Sequence, residues 1–529
     1  MTGSMSRVRW RACGSAPQMS GSPTCRELPR RWWSLLGLCL VTALVWVTAS
    51  DISIALPSIG RDLGGSMDVL QWAVNGYFLA GALIIVSGRF GDVFGRRLVF
   101  CIGTALVMIG SLPAALADGP QAVIVGRVIQ GAGAAAVLPS ALAIVAVSFR
   151  GRERDTAIGA WIATCWGAQA LGPLVGGGLI AALSWRWVFW INLPLGVVAL
   201  ALVLWSTGES RQKDADRRID VPGTLTLVAG LFLVCYGLVR VDDGGPLVLI
   251  GSFGGAVVLL TAFVVVERRS PSPVIALSIF RRARFDGAVV ANFIANFVFS
   301  AVVFFMALYL QVVEQFSPLV AGALLLPATI PILLANPLGT RWGYRSGARL
   351  ATTAGMALLA GGCFLLLDLG GAYSELLAPF ILIGVGIGLQ ITPCAAVALE
   401  DVGAAGEGVA SGVFKAASMI GGSFGVAAST AVFQTAAGDR LRSLLSAVTL
   451  DDAAVGRFLD VMTGSVPVDS LTDISAEPQS IVTQAFDAAV ARAMWPSIVF
   501  ALIGAGVAWF LLRDRSARRE ELLVVQPEK

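Results

Sequence analysis

The sequence has 529 residues, of which 56% are hydrophobic and 14% charged, and its mean hydropathy is +0.79. This balance excludes an ordinary soluble domain and predicts an all-α polytopic membrane protein. The net charge is only +4 and histidine is absent, so we expect no nucleic-acid partner, no His-ligated metal or haem, and no imidazole proton relay.

Fourteen segments are long and apolar enough to cross a bilayer, which takes about 20 residues. They are residues 33–56, 69–87, 98–117, 121–147, 156–183, 187–206, 221–239, 246–266, 285–310, 318–338, 350–368, 374–398, 408–433 and 495–512. Most Lys and Arg residues fall in alternate loops, which by the positive-inside bias predicts an even number of spans and two cytoplasmic termini. We therefore expect a multi-pass protein of the cytoplasmic (inner) cell membrane.

Three glycine- and arginine-bearing patterns recur about 250 residues apart, which indicates two related six-helix halves. The paired segments are 89–98 with 341–350, 131–133 with 384–386, and 172–176 with 421–425. The predicted organisation is a basic tail at 1–32, a first half at 33–206, linkers and an inserted helix pair at 207–284, a second half at 285–512 and a tail at 513–529. Within the second half, residues 434–494 are expected to form a solvated outer loop, with a substrate-capturing cap as the alternative.

The loop after span 2 combines glycines with one acid among several arginines. Its sequence over residues 88–97 is Gly-Arg-Phe-Gly-Asp-Val-Phe-Gly-Arg-Arg. The glycines allow a tight turn and close helix approach, and the charges predict a cluster that breaks and reforms as a cytoplasmic gate. A static positive-inside anchor is the alternative. The residues of this predicted gate are Gly88, Arg89, Asp92, Gly95, Arg96 and Arg97.

Span 4 carries an arginine, Arg127, with Gln130 one turn later on a similar face. A guanidinium inside a span is costly and usually faces a polar cavity or an acid, so Arg127 is a candidate functional residue. Snorkelling to the membrane interface is the alternative interpretation.

Span 5 contains a stripe of small residues at four-residue spacing, which predicts close packing against another helix. A proline in the same stretch removes a backbone donor and can bend the helix. The candidate residues of this motif are Gly167, Gly172, Pro173, Gly176 and Gly177.

These three motifs resemble sequence motifs of the major facilitator superfamily. The loop at 88–97 resembles the family's motif between helices 2 and 3, the stretch around Arg127 resembles its helix 4 motif, and the span 5 stretch resembles the helix 5 motif of its antiporters. Residues 185–196 and 220–223 are similar to the 14-helix drug:proton antiporter branch. The resemblance implies the major facilitator fold, with the proton gradient as energy source and no cofactor or metal. It also implies that Asp92 ties cytoplasmic helix ends together and that Arg127 takes part in proton coupling.

Asp51 is the one acid that lies clearly within a predicted span. The branch usually has an acid three residues earlier, where this chain has Thr48. Because burial favours the protonated form of a carboxyl group, we expect Asp51 to bind the proton or a cationic substrate. The alternative is that Asp51 reaches water on the outer side near the end of its span. The cavity is expected to include Gln130, Trp166, Gln169 and Lys415, of which Lys415 either neutralises an acid or snorkels.

The expected function is proton-coupled antiport that exports amphiphilic or cationic small molecules, as in multidrug efflux. A dedicated exporter of one metabolite or envelope lipid is the main alternative, and a proton-coupled symporter is disfavoured by the span 5 motif. We expect no enzyme, because no nucleophile and base set appears. The predicted partners are the lipid bilayer, protons and amphiphilic substrates, and the sequence does not indicate an auxiliary protein.

Overall fold

The computed structural model describes residues 27–513, except 211–219, 242–244, 271–272, 274, 276, 370–372, 401–406, 446–451, 473 and 475–476. The predicted tails therefore lie almost entirely outside the described residues. The described part of the chain is helical apart from short turns and linkers. The first half comprises α1 (Glu27–Leu63), α2 (Met67–Leu70), α3 (Trp72–Gly81), α4 (Ile84–Phe94), α5 (Arg96–Ala115), α6 (Pro120–Ser148), α7 (Gly151–Ala182), α8 (Trp187–Trp190) and α9 (Asn192–Ser206).

Two helices separate this half from the second one. They are α10 (Val221–Val239) and α11 (Gly245–Arg269), followed by a short 3-10 helix at Leu277–Arg281. The second half comprises α12 (Ala283–Val312), α13 (Pro318–Leu324), α14 (Leu326–Leu365), α15 (Tyr373–Glu400), α16 (Glu407–Leu444), α17 (Asp452–Met462), a 3-10 helix at Val468–Leu471 and α18 (Pro478–Leu511).

The described helices are consistent with fourteen membrane spans. Twelve helical stretches are long and apolar enough to cross a bilayer, and α3 with α4 form a further span bent by 44°. The stretch Pro318–Leu365 has 48 residues, about 72 Å at 1.5 Å per residue, which is more than twice the hydrocarbon thickness of about 30 Å. It is interrupted at Gly347, whose φ of 79° and ψ of 155° are not helical, so it contains two predicted spans.

Local sequence accounts for where several helices begin. The Asp220 side chain accepts a 2.7 Å hydrogen bond from the Gly223 N–H, and Pro222 lies in the same first turn, so α10 begins with a capped end. Ser317 caps α13 ahead of Pro318 in the same way. Between α4 and α5, Gly95 has a φ of 118°, a conformation that favours glycine and ends α4.

The two halves repeat the same close helix contacts. A Cβ atom at Gly133 would lie 2.6 Å from the carbonyl oxygen of Gly103, so only glycine fits where α6 crosses α5. In the second half, a Cβ atom at Gly386 would lie 2.6 Å from the carbonyl oxygen of Gly355. Both members of the second pair stand about 252 residues after those of the first. The glycine repeat in the sequence thus corresponds to a repeated packing geometry.

The inserted helices lie at the side of the bundle. α10 packs against α3 and α16, with the Cys235 Sγ 3.6 Å from the Ser423 Oγ. α11 packs mainly on α10, where Leu260 side-chain atoms fit against Gly230. Large apolar side chains of α11, such as Leu247 and Ile250, are exposed, as expected for a helix that faces lipid.

The prediction of a solvated loop over residues 434–494 is wrong for much of the segment. α16 extends to Leu444, α17 is an additional helix, and α18 begins at Pro478, 17 residues before the predicted span. Phe458, Met462 and Leu471 of this segment are fully buried. The physical reason is that α17 is amphipathic and buries its apolar face against the rest of the protein, although its charged residues lower its mean hydropathy.

We call the end of the bundle that this segment covers the outer face, and the end that carries Arg89–Arg97 the inner face.

The outer segment is held on the end of α1. A Cβ atom at Gly464 would lie 2.7 Å from the Pro57 Cβ, and the Ser465 Oγ donates to the Gly65 carbonyl at 3.1 Å. The two halves also meet nearby, where the Gln311 Nε2 donates to the Ile54 carbonyl at 3.2 Å. The outer ends of the halves are therefore in direct contact.

Candidate functional site

Asp51 is buried on α1, with 1% of its surface exposed. Among the described residues neither of its carboxylate oxygens has a hydrogen-bond partner. α7 crosses α1 at this point, and a Cβ atom at Gly176 would lie only 2.6 Å from the Asp51 Cβ. The span 5 motif, which lies on α7, therefore packs directly on Asp51, the residue predicted to bind a proton.

Arg127 lies on α6 and is fully buried. Its Nε donates to the Ala73 carbonyl at 2.7 Å, and its Nη1 donates to the Thr48 carbonyl at 2.9 Å and to the Gln130 Oε1 at 3.1 Å. The guanidinium carbon also lies 4.2 Å from the centre of the Tyr77 ring, a cation–π geometry. These contacts fix the cation between α1, α3 and α6, so the snorkelling interpretation is wrong for Arg127.

A chain of side-chain hydrogen bonds leads from Arg127 back to α1. The Gln130 Nε2 donates to the Ser111 Oγ at 2.8 Å, and the Asn192 Nδ2 donates to the same oxygen at 3.2 Å. The Asn192 Oδ1 in turn accepts from the Thr48 Oγ1 at 3.3 Å. Thr48 stands one turn before Asp51, so the position where the branch usually carries its acid belongs to this polar network.

The span 5 motif of α7 packs on two different helices, α1 and α13. A Cβ atom at Gly172 would collide with the Ser50 Oγ of α1. On its other side, a Cβ atom at Gly177 would collide with the Pro318 carbonyl of α13, and Gly322 of α13 fits against the Pro173 carbonyl in return. α7 is thus held between α1 of the first half and α13 of the second, with Asp51 at the first contact.

In the charged loop at the inner face, Asp92 and Arg96 form a short ion pair across the Gly95 turn. The Asp92 Oδ1 accepts from the Arg96 Nη2 at 2.8 Å and from its Nε at 3.1 Å. The side chain of Asp92 is 38% exposed, so the pair is accessible to water and can exchange partners.

Arg97 has different partners from Asp92. Its Nη1 donates to the Thr207 carbonyl at 2.9 Å, and its Nε lies 3.8 Å from the Glu209 Oε2. The Glu209 carboxylate also accepts from the backbone N–H groups of Arg97 at 3.1 Å and Leu98 at 3.2 Å. A carboxylate in this position satisfies free donors at the start of α5 and favours its helix dipole.

Lys415 of α16 lies against two indole rings of the first half. Its Nζ is 5.6 Å from the centre of the Trp46 ring on α1 and 5.8 Å from that of Trp166 on α7. The two rings stack on each other with their centres 6.4 Å apart and 24° between their planes. Within the described part of the chain no carboxylate pairs with Lys415, so of the two sequence-based interpretations, neutralisation by an acid is not supported.

The sequence comparisons identify the family. The family model described as Major Facilitator Superfamily matches residues 38–426. This chain belongs to the Major Facilitator Superfamily. It is 34% identical over 411 residues to the puromycin resistance protein of Streptomyces alboniger, covering 75% of this chain and 81% of that protein.

Further relatives of this major facilitator have similar descriptions. It is 31% identical over 417 residues to the tetracenomycin C resistance and export protein of Streptomyces glaucescens, covering 78% of this chain and 77% of that one. It is 32% identical over 403 residues to the multidrug resistance protein Stp of Mycobacterium tuberculosis H37Rv, covering 74% of each chain. The protein is therefore a membrane transporter of this superfamily.

Solved structures agree with the fold. An inward-facing, unoccupied bacterial homologue of the human lysosomal transporter Spinster superposes with a TM-score of 0.64 at 15% identity, covering 92% of this chain and 97% of that one. The POT family transporter PepTSo gives a TM-score of 0.59 at 15% identity, covering 95% of this chain and 99% of that one. At this identity the likeness shows the major facilitator fold alone.

Two predicted placements in this major facilitator need correction. Gln130 was expected to line the cavity, but it is fully buried, because its amide oxygen accepts from the buried guanidinium of Arg127 and its amide nitrogen donates to Ser111. The predicted cluster around Asp92 is divided, since Asp92 binds Arg96 while Arg97 binds the end of α9 and Glu209. The remaining arginine of the loop, Arg89, donates to the Pro273 carbonyl at 3.4 Å.

Of the other predicted residues, some make the expected contacts and some do not. Trp166 and Lys415 come together, whereas Gln169 is half-buried on α7 without a side-chain hydrogen bond in the described structure. Gly167 has nothing within 4 Å of where a Cβ atom would be, so it takes no part in the close contacts of its motif. Near the inner face, Gly88 is only in ordinary contact with Pro139.

Sequence reasoning missed two polar residues of the network around Arg127, Ser111 and Asn192, and one at the inner face, Glu209. Ser111 and Asn192 had a detectable signal, because each is a polar side chain in or beside an apolar span and must find a partner there. Glu209 was assigned to a polar linker. Its partners are mainly backbone N–H groups, which leave no pattern in the sequence.

A cleft of about 870 Å³ opens at the outer face. Pro57, Gln311 and Pro318 line its inner wall, and Pro467 and Gln479 line the wall made by the outer segment. None of the predicted site residues contributes to it. The candidate site is therefore the buried region of the first half around Asp51 and Arg127, together with Lys415, which reaches Trp46 and Trp166 from the second half, and not this cleft.

Proposed function

We propose that this major facilitator is a proton-coupled antiporter that exports amphiphilic small molecules across the cytoplasmic membrane, with Asp51 as its proton-binding residue. The inner face is then cytoplasmic, and both termini lie on that side. The family and the resistance and export functions named for its relatives support the transport direction.

The observation that carries the proposal is the environment of Asp51. Its carboxylate is buried at a helix crossing, and no described residue donates a hydrogen bond to it. An ionised Asp in the middle of a span costs about 2.5–3.5 kcal/mol on insertion scales. Protonation removes that cost, so the side chain gains or loses a proton whenever the two halves move and water reaches it.

Arg127 sets the balance between the two forms of Asp51. The charged or titratable side chains that interact electrostatically with Asp51 are Arg127 and Tyr77. The guanidinium favours the carboxylate, while exclusion of water favours the carboxylic acid. Arg127 belongs to α6 and binds a carbonyl of α3, so a shift of α1, which carries Asp51, relative to these helices changes the distance between the two charges.

The contact between Asp51 and Gly176 supplies the coupling to helix movement. α7 touches α1 at this glycine and touches α13 of the second half one residue later. A rocking motion that separates the outer ends must open the α7–α13 contact, and it then frees the face of α1 that holds Asp51. Proton exchange with the outside would follow from that opening.

The test is proton-driven uptake of a fluorescent cation, ethidium, into inverted membrane vesicles at several imposed pH gradients. We expect Asp51→Asn to lose the dependence of uptake on the gradient, because the amide resembles the protonated acid and cannot release a proton. Asp51→Glu should keep part of that dependence. Unchanged dependence in Asp51→Asn at equal protein levels would overturn the assignment of Asp51.

A further inference from the structure

The surface around Lys415 combines a cation with an aromatic wall. The ammonium comes from α16 of the second half, and the two indole rings come from α1 and α7 of the first. Trp46 is almost fully buried and holds its place, while Trp166 is half-buried and leaves part of its surface open. Three helices from both halves thus build one small surface.

The charge on Lys415 is not matched by an acid of the described chain. Among the described residues, the titratable side chain that interacts with it electrostatically is the Cys165 thiol of α7. Asp51 interacts with Arg127 instead. A cation within a span usually pairs with an acid or faces a water-filled cavity. Lys415 itself is only partly buried and keeps some exposed surface.

We propose that Lys415, Trp46 and Trp166 form a binding subsite for an amphiphilic organic anion, in which a carboxylate or sulfonate meets the ammonium and a flat ring system lies on the indoles. An ammonium offers three donors to an anion, and such charge-assisted bonds are stronger than neutral ones. The indole faces supply apolar contact to the adjoining rings. The inference rests on the proposed export function and adds amphiphiles that carry a negative group to the substrates of the same transporter.

The position of the subsite links binding to transport. Its cation belongs to one half and its aromatic wall to the other, so a bound anion contacts both halves at once. When the halves rock, the distance between Lys415 and the indoles changes, and the anion loses one side of its site. Release into the opposite compartment is then a geometric consequence of the movement.

The experiment uses two probes with the same ring system and opposite charge, 1-pyrenebutyrate and 1-pyrenemethylammonium. Binding to the full-length protein in lipid nanodiscs is measured by fluorescence titration. We expect Lys415→Met to weaken binding of pyrenebutyrate about ten-fold, the loss of one charge-assisted contact, and to leave the cation unaffected or more tightly bound. Lys415→Arg should keep most of the affinity for pyrenebutyrate.

A second variant protects the test against misfolding. Trp166→Leu should weaken both probes, because it removes ring contact and not charge, and all variants should elute as the wild type does in size-exclusion chromatography. Equal weakening of both probes by Lys415→Met, or a wild-type protein that does not bind pyrenebutyrate, would overturn the inference.

The two proposals can fail separately. If Asp51→Asn keeps a normal dependence on the pH gradient while Lys415→Met loses pyrenebutyrate, the proton-binding residue is wrong and the anion subsite stands. If Asp51→Asn is uncoupled while Lys415→Met binds both probes as the wild type does, the anion subsite is wrong and the proton-binding residue stands.

Discussion

Substitution of Gly176 by alanine should impair transport without preventing membrane insertion. The added methyl would lie 2.6 Å from the Asp51 Cβ and 3.3 Å from its Cα. Since carbon atoms pack best at about 3.5–4.0 Å, α7 must move away from α1 by roughly 1 Å at this crossing. Gly167 is the matched control position, because it lies on the same helix and nothing is within 4 Å of the added methyl.

The expected magnitude follows from the cost of overpacking, about 1–3 kcal/mol. Every 1.4 kcal/mol is a factor of ten in an equilibrium constant, so ethidium uptake into inverted vesicles should fall roughly five-fold to a hundred-fold. Alanine favours the helix over glycine by about 1 kcal/mol at both positions, and the Gly167→Ala control removes that effect from the comparison. Equal uptake by Gly176→Ala and Gly167→Ala, at equal amounts of protein, would refute the claim that the α1–α7 contact is part of the mechanism.

Two further substitutions test the inner face. Asp92→Asn should lower the rate of ethidium uptake several-fold. The variant should still fold in the membrane, because the exposed ion pair with Arg96 contributes only about 0.2–1 kcal/mol to stability. Uptake at the wild-type rate would show that the pair has no role in transport and that the charges of this loop serve only to set the membrane topology. Glu209→Gln should lower the thermal stability of the detergent-solubilised protein, by about 0.5–2 kcal/mol, because Glu209 accepts from the Arg97 and Leu98 N–H groups. An unchanged melting temperature would show that this capping interaction is dispensable.

Much of the fold could be predicted because it depends on properties that the sequence states directly. Apolar length predicts the spans, and glycines at fixed offsets predict where helices cross, as Gly133 and Gly386 illustrate. The outer segment could not be predicted in the same way. α17 has only 11 residues, and it packs on α16, α18 and α12, so its burial depends on how those long helices meet at the outer face.

The sequence predicted the individual charged residues of the candidate site but not their partners. Asp51 and Arg127 could be identified because ionisable residues within membrane spans are costly and are therefore usually functional. Their partners could not be predicted, since these depend on how each helix is rotated about its axis in the packed bundle. Lys415 is the clearest case: its neighbours Trp46 and Trp166 lie about 370 and 250 residues away in the sequence, and no local pattern connects them.

The central claim is that protons move through Asp51 in exchange for substrate. The most direct measurement places a pH-sensitive dye inside proteoliposomes and imposes an ethidium gradient without a pH gradient. The account predicts proton movement opposite to ethidium in the wild-type protein and none in Asp51→Asn. Proton movement of wild-type size in Asp51→Asn would contradict it.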